Sequence, residues 1–248
     1  MNLSPSLSYV LACPKRYHLE KVQKQKTPAP FASATLGNLV HKRIAYSLRT
    51  GNKASLDPFD LPRRLLLQEY EDLSDLCQRA EDSLSYFNDK VLSYLAQFKL
   101  HSVEYRLTTS LKLDQDTYNL SGVIDCMIQT PKGLHILDWK TSSVKSSDAQ
   151  LKFYLVLAYL EWRERELSAE AVSLSTGESQ MLTFSPELKD WFKDYLRDMV
   201  SALAECERKM PKPGSHCKYC PFAHACELSE APERVLLDMW TGEVSYLG

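Results

Sequence analysis

Three β-type segments follow one another between residues 103 and 140 with only short polar turns between them. They read VEYRLTTSLKL, DTYNLSGVIDCMI and GLHILDWK, and the turns fall at Asp114–Asp116 and Pro131–Gly133. Each segment is rich in β-branched or aromatic residues and is closed by Gly, Pro or Asp, which is the signature of a strand. The second and third pair as a hairpin around Pro131–Gly133, and this hairpin carries charges that a buried strand seldom tolerates: Asp125, Asp138 and Lys140.

Residues two apart share a face of a strand, so Asp138 and Lys140 point the same way. Across the hairpin Asp125 comes close to Asp138. Two adjacent carboxylates repel unless one holds a proton or a cation lies between them. A hard divalent ion with oxygen ligands, Mg²⁺ or Mn²⁺, meets that need. Lys140 then has the chemistry to orient an attacking water or to stabilise charge on a pentacovalent phosphate. Taken alone, Asp-x-Lys also suits a plain ion pair at a solvated strand edge.

The rest of the chain surrounds these strands with helices. Apolar periodicity predicts helices over 5–24 and 33–49, where Leu36, Val40, Ile44 and Leu48 recur every fourth residue. Two or three more are predicted over 62–99, inside a helical insert at 57–99. A helix over 149–166 follows the third strand, then strands near 169–176 and 178–185, then a helix from Pro186 to about Arg208. The order helix, helical insert, three strands, helix, two strands, helix implies one α/β domain over 1–248, a mixed sheet flanked by helices. The net charge is −2, so any polyanion must be held by local basic patches. No apolar run approaches the length of a membrane span, and no basic segment precedes the short apolar run at the N-terminus. The expected location is therefore cytoplasmic, with no membrane partner.

The charged residues fall into a larger pattern. GVID at Gly122–Asp125, then an apolar strand ending Asp138-Trp139-Lys140, resembles the core of the PD-(D/E)XK nucleases in their RecB-like branch. So do His41 in GNLVHKRI, on an early helix, and Gln150 and Tyr154 in QLKFY, one turn apart on the helix after the lysine strand. The resemblance implies a restriction-endonuclease-like fold. It implies that His41, Asp125 and Asp138 bind metal by their side chains and Trp139 by its carbonyl, that Lys140 positions water, and that Gln150 and Tyr154 hold the lysine or the DNA backbone. Glu104 matches an acidic position in a supporting role. Many relatives carry Glu where this chain has Asp138.

Seven cysteines are present, and three form C-x2-C-x5-C at Cys217, Cys220 and Cys226. Crowding of this kind suggests a metal site rather than a disulfide framework. With a distant fourth thiolate such as Cys13 or Cys206, the set can hold zinc or an iron–sulfur cluster. Cys77 and Cys126 read as buried small apolar residues. The late triplet, and Cys13 in Cys-Pro-Lys-Arg-Tyr, also resemble the bracket of cysteines in AddB-type and CRISPR-associated adaptation nucleases. There the four hold a 4Fe–4S cluster, which implies that the segment 211–228 is tied to Cys13, with Zn²⁺ as the alternative. The function implied is a metal-dependent exonuclease acting on single-stranded DNA ends, in repair, recombination or CRISPR spacer acquisition. Its partners would be single-stranded DNA and proteins of CRISPR adaptation or recombination. The alternative is a non-catalytic DNA-binding or assembly subunit with a structural cluster. The helical insert, if it arches over the site, would admit threaded strands.

Overall fold

The structure, a computed structural model, describes residues 1–25, 32–56, 73–163, 166–206, 208, 211–223, 226, 234–237 and 244–247. The chain divides into two compact units, Met1–Pro5 with Phe31–Lys193, and Ser6–Pro30 with Asp194–Gly248.

The first unit is built on a mixed sheet, six-stranded among the described residues. Its strands are β1 (Asn2–Leu3), β2 (Lys99–Leu113), β3 (Asp116–Thr130), β4 (Gly133–Lys140), β5 (Leu167–Ser173) and β6 (Ser179–Thr183). β3 organises the rest. One of its edges is paired along its length by antiparallel β2. Its other edge is shared: β1 runs parallel at Asn119 and Leu120, and β4 runs antiparallel from Cys126 to Thr130. β4 pairs parallel with β5, and β6 closes the sheet antiparallel to β5. The three strands read from the sequence are therefore present as a meander, each close to its expected limits.

Helices cover both faces because β4 is buried from Leu134 to Trp139 and shows no solvated side. On one face Leu137 and Trp139 meet Leu36, Val40 and Ile44 of α1 (Ala32–Thr50) and Ala80 and Leu84 of α2 (Leu73–Tyr86). The Trp139 ring meets Phe87 edge-on at 5.8 Å between centroids. Full burial of each such aliphatic or Phe side chain stabilises by about 1.5–3 kcal/mol. The other face takes α3 (Asp148–Trp162), the crossover that a parallel β4–β5 pair requires. Its residues Leu151 and Phe153 to Ala158 are all buried, which explains a helix apolar around most of its circumference. The helix ends at Arg163, in a left-handed conformation with φ 57°, rather than at Glu166. α4 (Leu188–Ala204) begins in this unit, where Phe192 packs on Phe153 at 5.0 Å.

The insert is helical where described: α2, a π-type turn at Phe87–Val91, and a short helix at Leu92–Leu95. Its residues 57–72 lie outside the described residues. Two features of the fold were not expected. β1 is too short to show alternation. β7 (Arg234–Leu237) and β8 (Val244–Leu247) form an antiparallel pair in a tail for which the sequence suggested no element.

In the second unit the helix expected over 5–24 is broken. A 3-10 turn at Pro5–Leu7 and helices at Tyr9–Ala12 and Pro14–Tyr17 are followed by a π-type turn at His18–Val22. The break is Cys13, extended at φ −148° and ψ 95°. Pro14 is the cause, since the ring of a proline drives the residue before it out of the helical region. Among the described residues no helix is long and apolar enough to cross a membrane.

The β3–β4 turn depends on Gly133. Its φ is +101°, and a Cβ there would lie 1.9 Å from the Glu166 carbonyl oxygen, which accepts the Leu134 N–H. Gly133→Ala is expected to cost more than about 2 kcal/mol, because the strain of positive φ adds to a backbone clash that no rotamer relieves. A drop in the urea midpoint with unchanged slope checks this.

Candidate active site

Each candidate side chain is set by a separate element. His41 comes from α1, Glu104 from β2, Asp125 from β3, Asp138 and Lys140 from β4, and Gln150 and Tyr154 from α3. Asp125 is the junction. Its Oδ2 accepts the backbone N–H of Trp139 at 2.8 Å and lies 3.1 Å from His41 Nδ1. One carboxylate oxygen thereby ties β3 to β4 and to α1. His41, Glu104 and Asp125 offer ligand atoms that all lie within 4.8 Å of one another.

Glu104 reaches this group by a backbone distortion. It has φ 51°, left-handed and rare for a residue with a side chain. The pairing of β2 with β3 runs Val103↔Cys126 and Tyr105↔Ile124, so Glu104 stands opposite Asp125. Strain of this kind costs of order 1–3 kcal/mol and gathers at functional sites.

Asp138 lies outside that compact trio and faces the lysine. Lys140 Nζ is 2.6 Å from Asp138 Oδ2 and donates to Gln150 Oε1 at 2.8 Å. Gln150 Nε2 donates to Asp138 Oδ1 and to the Tyr154 hydroxyl, both at 3.0 Å. The amide thus presents its oxygen to the ammonium and its nitrogen to the carboxylate, so its orientation is fixed by charge at both ends. Asp138 Oδ2 is buried, with the Lys140 ammonium as its charge partner.

Gly122 sets how closely α3 approaches. A Cβ there would sit 2.9 Å from Tyr154 Cε1, in a ring that is 5% exposed and held by Gln150. A glycine within a strand often marks such an approach, and its role was not anticipated in the sequence.

The electrostatics leave a deficit of positive charge. Burial, with the charge of Asp125, pushes Glu104 above the usual carboxylate range. Burial also raises Asp138; Lys140 draws it down, but the net shift is upward. For His41, burial opposes the imidazolium, yet the Asp125 hydrogen bond and the charges of Asp125 and Asp138 outweigh it and raise its pKa. Burial and the Asp138 charge raise the Tyr154 phenol, which stays protonated. Three carboxylates thus share one ammonium and one imidazole. This donor set fits Mg²⁺ or Mn²⁺, with His41, Glu104 and Asp125 as the ligands nearest one another and Asp138 beside them.

The cysteines of interest all belong to the second unit. Cys13 is buried, and Cys217, Cys220 and Cys226 are half-buried; all four are free thiols. Cys217 lies in a 3-10 turn at Ser215–Tyr219 that ends against Cys220. Burial raises the Cys220 thiol, Arg16 opposes, and the Cys13 and Cys217 thiols add to the rise. Cys13 therefore lies near enough to Cys220 to affect it, although about two hundred residues separate them in sequence. Cys206 is buried in the same unit, and Cys126 in the core of the first.

Comparison with known proteins identifies the class. The description of the PD-(D/E)XK nuclease superfamily fits residues 2–227 of this sequence, and the chain belongs to that superfamily. Its members are metal-dependent nucleases that use Mg²⁺ or Mn²⁺. No curated protein matches the sequence. Among solved structures, the crystal structure of SSO0001 aligns with a TM-score of 0.51 at 16% identity, over 91% of this chain and 86% of that one, a likeness of fold. Protein VC1899 from Vibrio cholerae aligns over 83% of this chain and 56% of its own, with a TM-score of 0.25 and 14% identity, too distant to support an argument.

The upward shifts give a pH dependence with a definite sign. Glu104, Asp138 and His41 all hold protons more tightly folded than unfolded. Their contribution to stability is present at low pH and is lost as pH rises through the raised values. A bound divalent ion replaces those protons. The melting temperature should therefore rise more on adding Mn²⁺ at about pH 8 than at about pH 5, because stabilisation grows with the ratio of ligand to Kd. Equal shifts at both pH values would contradict this reading.

Proposed function

We propose that this chain is a metal-dependent DNA exonuclease that hydrolyses phosphodiester bonds at single-stranded DNA ends. The observation that carries it is the hydrogen-bonded run from Lys140 through Gln150 to Asp138, set beside the ligand trio His41, Glu104 and Asp125. A merely structural Asp138–Lys140 pair would not need the glutamine and tyrosine of a second element.

His41, Glu104, Asp125 and Asp138, with the Trp139 carbonyl, would hold a divalent ion, which would supply charge stabilisation at the scissile phosphate and acidity to water. The protein's own groups do the rest. Lys140 keeps its ammonium between substrate and Asp138, orients the attacking water and stabilises charge on the phosphate. Gln150 holds the lysine in that position, and Tyr154 holds the glutamine. The water oxygen bonds to phosphorus as one of its protons passes to solvent, the ester P–O bond breaks, and the leaving oxygen takes a proton from solvent, so the net change is addition of one water.

Cys13, Cys217, Cys220 and Cys226 are the proposed ligands of a 4Fe–4S cluster. The influence of Cys13 and Cys217 on Cys220, and the membership of all four cysteines in one unit, support this reading. Such a group would contribute to folding of the second unit. The cluster, the end dependence and a cytoplasmic role in repair, recombination or CRISPR spacer acquisition follow the resemblance to RecB-like nucleases carried by His41, Asp125, Asp138-Trp139-Lys140, Gln150 and Tyr154.

With Mn²⁺ and labelled linear single-stranded DNA, wild type should degrade the strand from an end and spare a circular one. Lys140→Ala should lower the rate by at least about a hundredfold, the typical effect of losing one transition-state donor. Equal rates for the two proteins would remove Lys140 from catalysis, and no cleavage by either would favour a DNA-binding subunit. Anaerobically purified protein should show broad visible absorbance that Cys220→Ser abolishes; a colourless protein retaining tightly bound zinc would replace the iron–sulfur assignment.

A further inference from the structure

Helix α1 carries more than His41. Its buried side, Leu36, Val40 and Ile44, is fixed in the core. Among its exposed positions are Asn38, Lys42, Tyr46 and Arg49, at spacings of four, four and three residues. These spacings place them in one row along the helix. The row spans about 16 Å at the rise of an α-helix. Its Arg49 end reaches Val103, the residue before Glu104, so a chain lying along the row ends beside the ligand trio.

The residue types in the row match one another chemically. Tyr46 is 49% exposed, unusual for a large ring in a core-forming helix. Among the described residues neither its ring nor the Lys42 ammonium pairs with another side chain. Arg49 is anchored at one end only: its terminal nitrogen donates to the Val103 carbonyl at 3.2 Å, leaving the other guanidinium donors exposed. That contact ties Arg49 to the residue before Glu104. An exposed aromatic between two cations, next to a cluster of carboxylates, suits a ligand that alternates flat rings with anionic linkers.

We propose that Lys42, Tyr46 and Arg49 form the track that leads single-stranded DNA to the metal site. Tyr46 stacks on an unpaired base. Lys42 and Arg49 neutralise phosphates on either side of it, and Arg49, tied to Val103, delivers the phosphate nearest Glu104. A duplex has no exposed base face for Tyr46, so the row selects single strands. The inference rests on the nuclease reading for its substrate but concerns binding, and the two are tested separately.

The test measures anisotropy of a labelled single-stranded oligonucleotide with the full-length chain carrying Lys140→Ala and Mn²⁺ present, so that binding is read without cleavage. Tyr46→Ala should weaken binding roughly tenfold, within the range for loss of one base stack, and Tyr46→Phe should restore it. Lys42→Gln and Arg49→Gln should each reduce the slope of log affinity against log salt by about 0.7. Exposed positions tolerate such changes, and unchanged melting temperature and Mn²⁺ titration confirm that the variants are folded. Binding that is independent of Tyr46, equal loss for the Ala and Phe variants, or no binding by the parent would overturn the track. Tighter, Tyr46-dependent binding of single-stranded RNA would overturn its assignment to DNA. Tyr46-dependent binding by a wild-type chain that cuts nothing would sink the nuclease reading and leave the track. Cleavage by wild type with Tyr46-independent binding would do the reverse.

Discussion

Asp125 Oδ2 is the atom on which the first unit's site depends. It accepts from the Trp139 amide and pairs with His41, so one oxygen fixes the relative positions of β3, β4 and α1. Buried carboxylates are costly unless their charge is met. Here Asp125 meets part of the cost through these two contacts. Burial raises the pKa of both Glu104 and Asp138, and the charge of Asp125 adds to each rise. A divalent ion at such a site would relieve that cost and stabilise the fold.

The surrounding fold keeps these carboxylates in place. Trp139 contributes its amide to Asp125 while its ring packs against Phe87 in the core. The residue between Asp138 and Lys140 is thus anchored on the opposite face. On the site face, the apolar helix α3 is pressed against the sheet closely enough that Gly122 leaves room only for the Tyr154 ring. That contact sets the height of Gln150 above the sheet, and Gln150 sets the lysine. The left-handed Glu104 completes the arrangement from the edge strand, where the β2–β3 ladder is interrupted.

Much of this was legible in the sequence because the information was local. The hairpin around Pro131–Gly133 showed itself through alternation and turn residues, and it brought the charged ends of β3 and β4 together. The i, i+4 spacing of Gln150 and Tyr154 placed both on one helical face, where they now contact each other. What stayed hidden depends on tertiary context. Glu104 gave only the sign of its charge, since nothing in Val-Glu-Tyr reveals a positive φ that turns the carboxylate toward Asp125. The break at Cys13 was readable from Pro14, yet the apolar stripe suggested an unbroken helix. Gly122 looked like an ordinary strand glycine, because the approach of Tyr154 comes from thirty-two residues away. β1, only two residues long, carries too little pattern to be seen at all.

The central claim is that side chains from α1, β2 and β3 converge on one divalent ion beside Asp138 and Lys140. Anomalous diffraction at the manganese edge, from crystals soaked in Mn²⁺, tests it directly. A peak within bonding distance of His41, Glu104 and Asp125 is the predicted result. A peak elsewhere in the first unit, or none there at saturating Mn²⁺, would contradict the account.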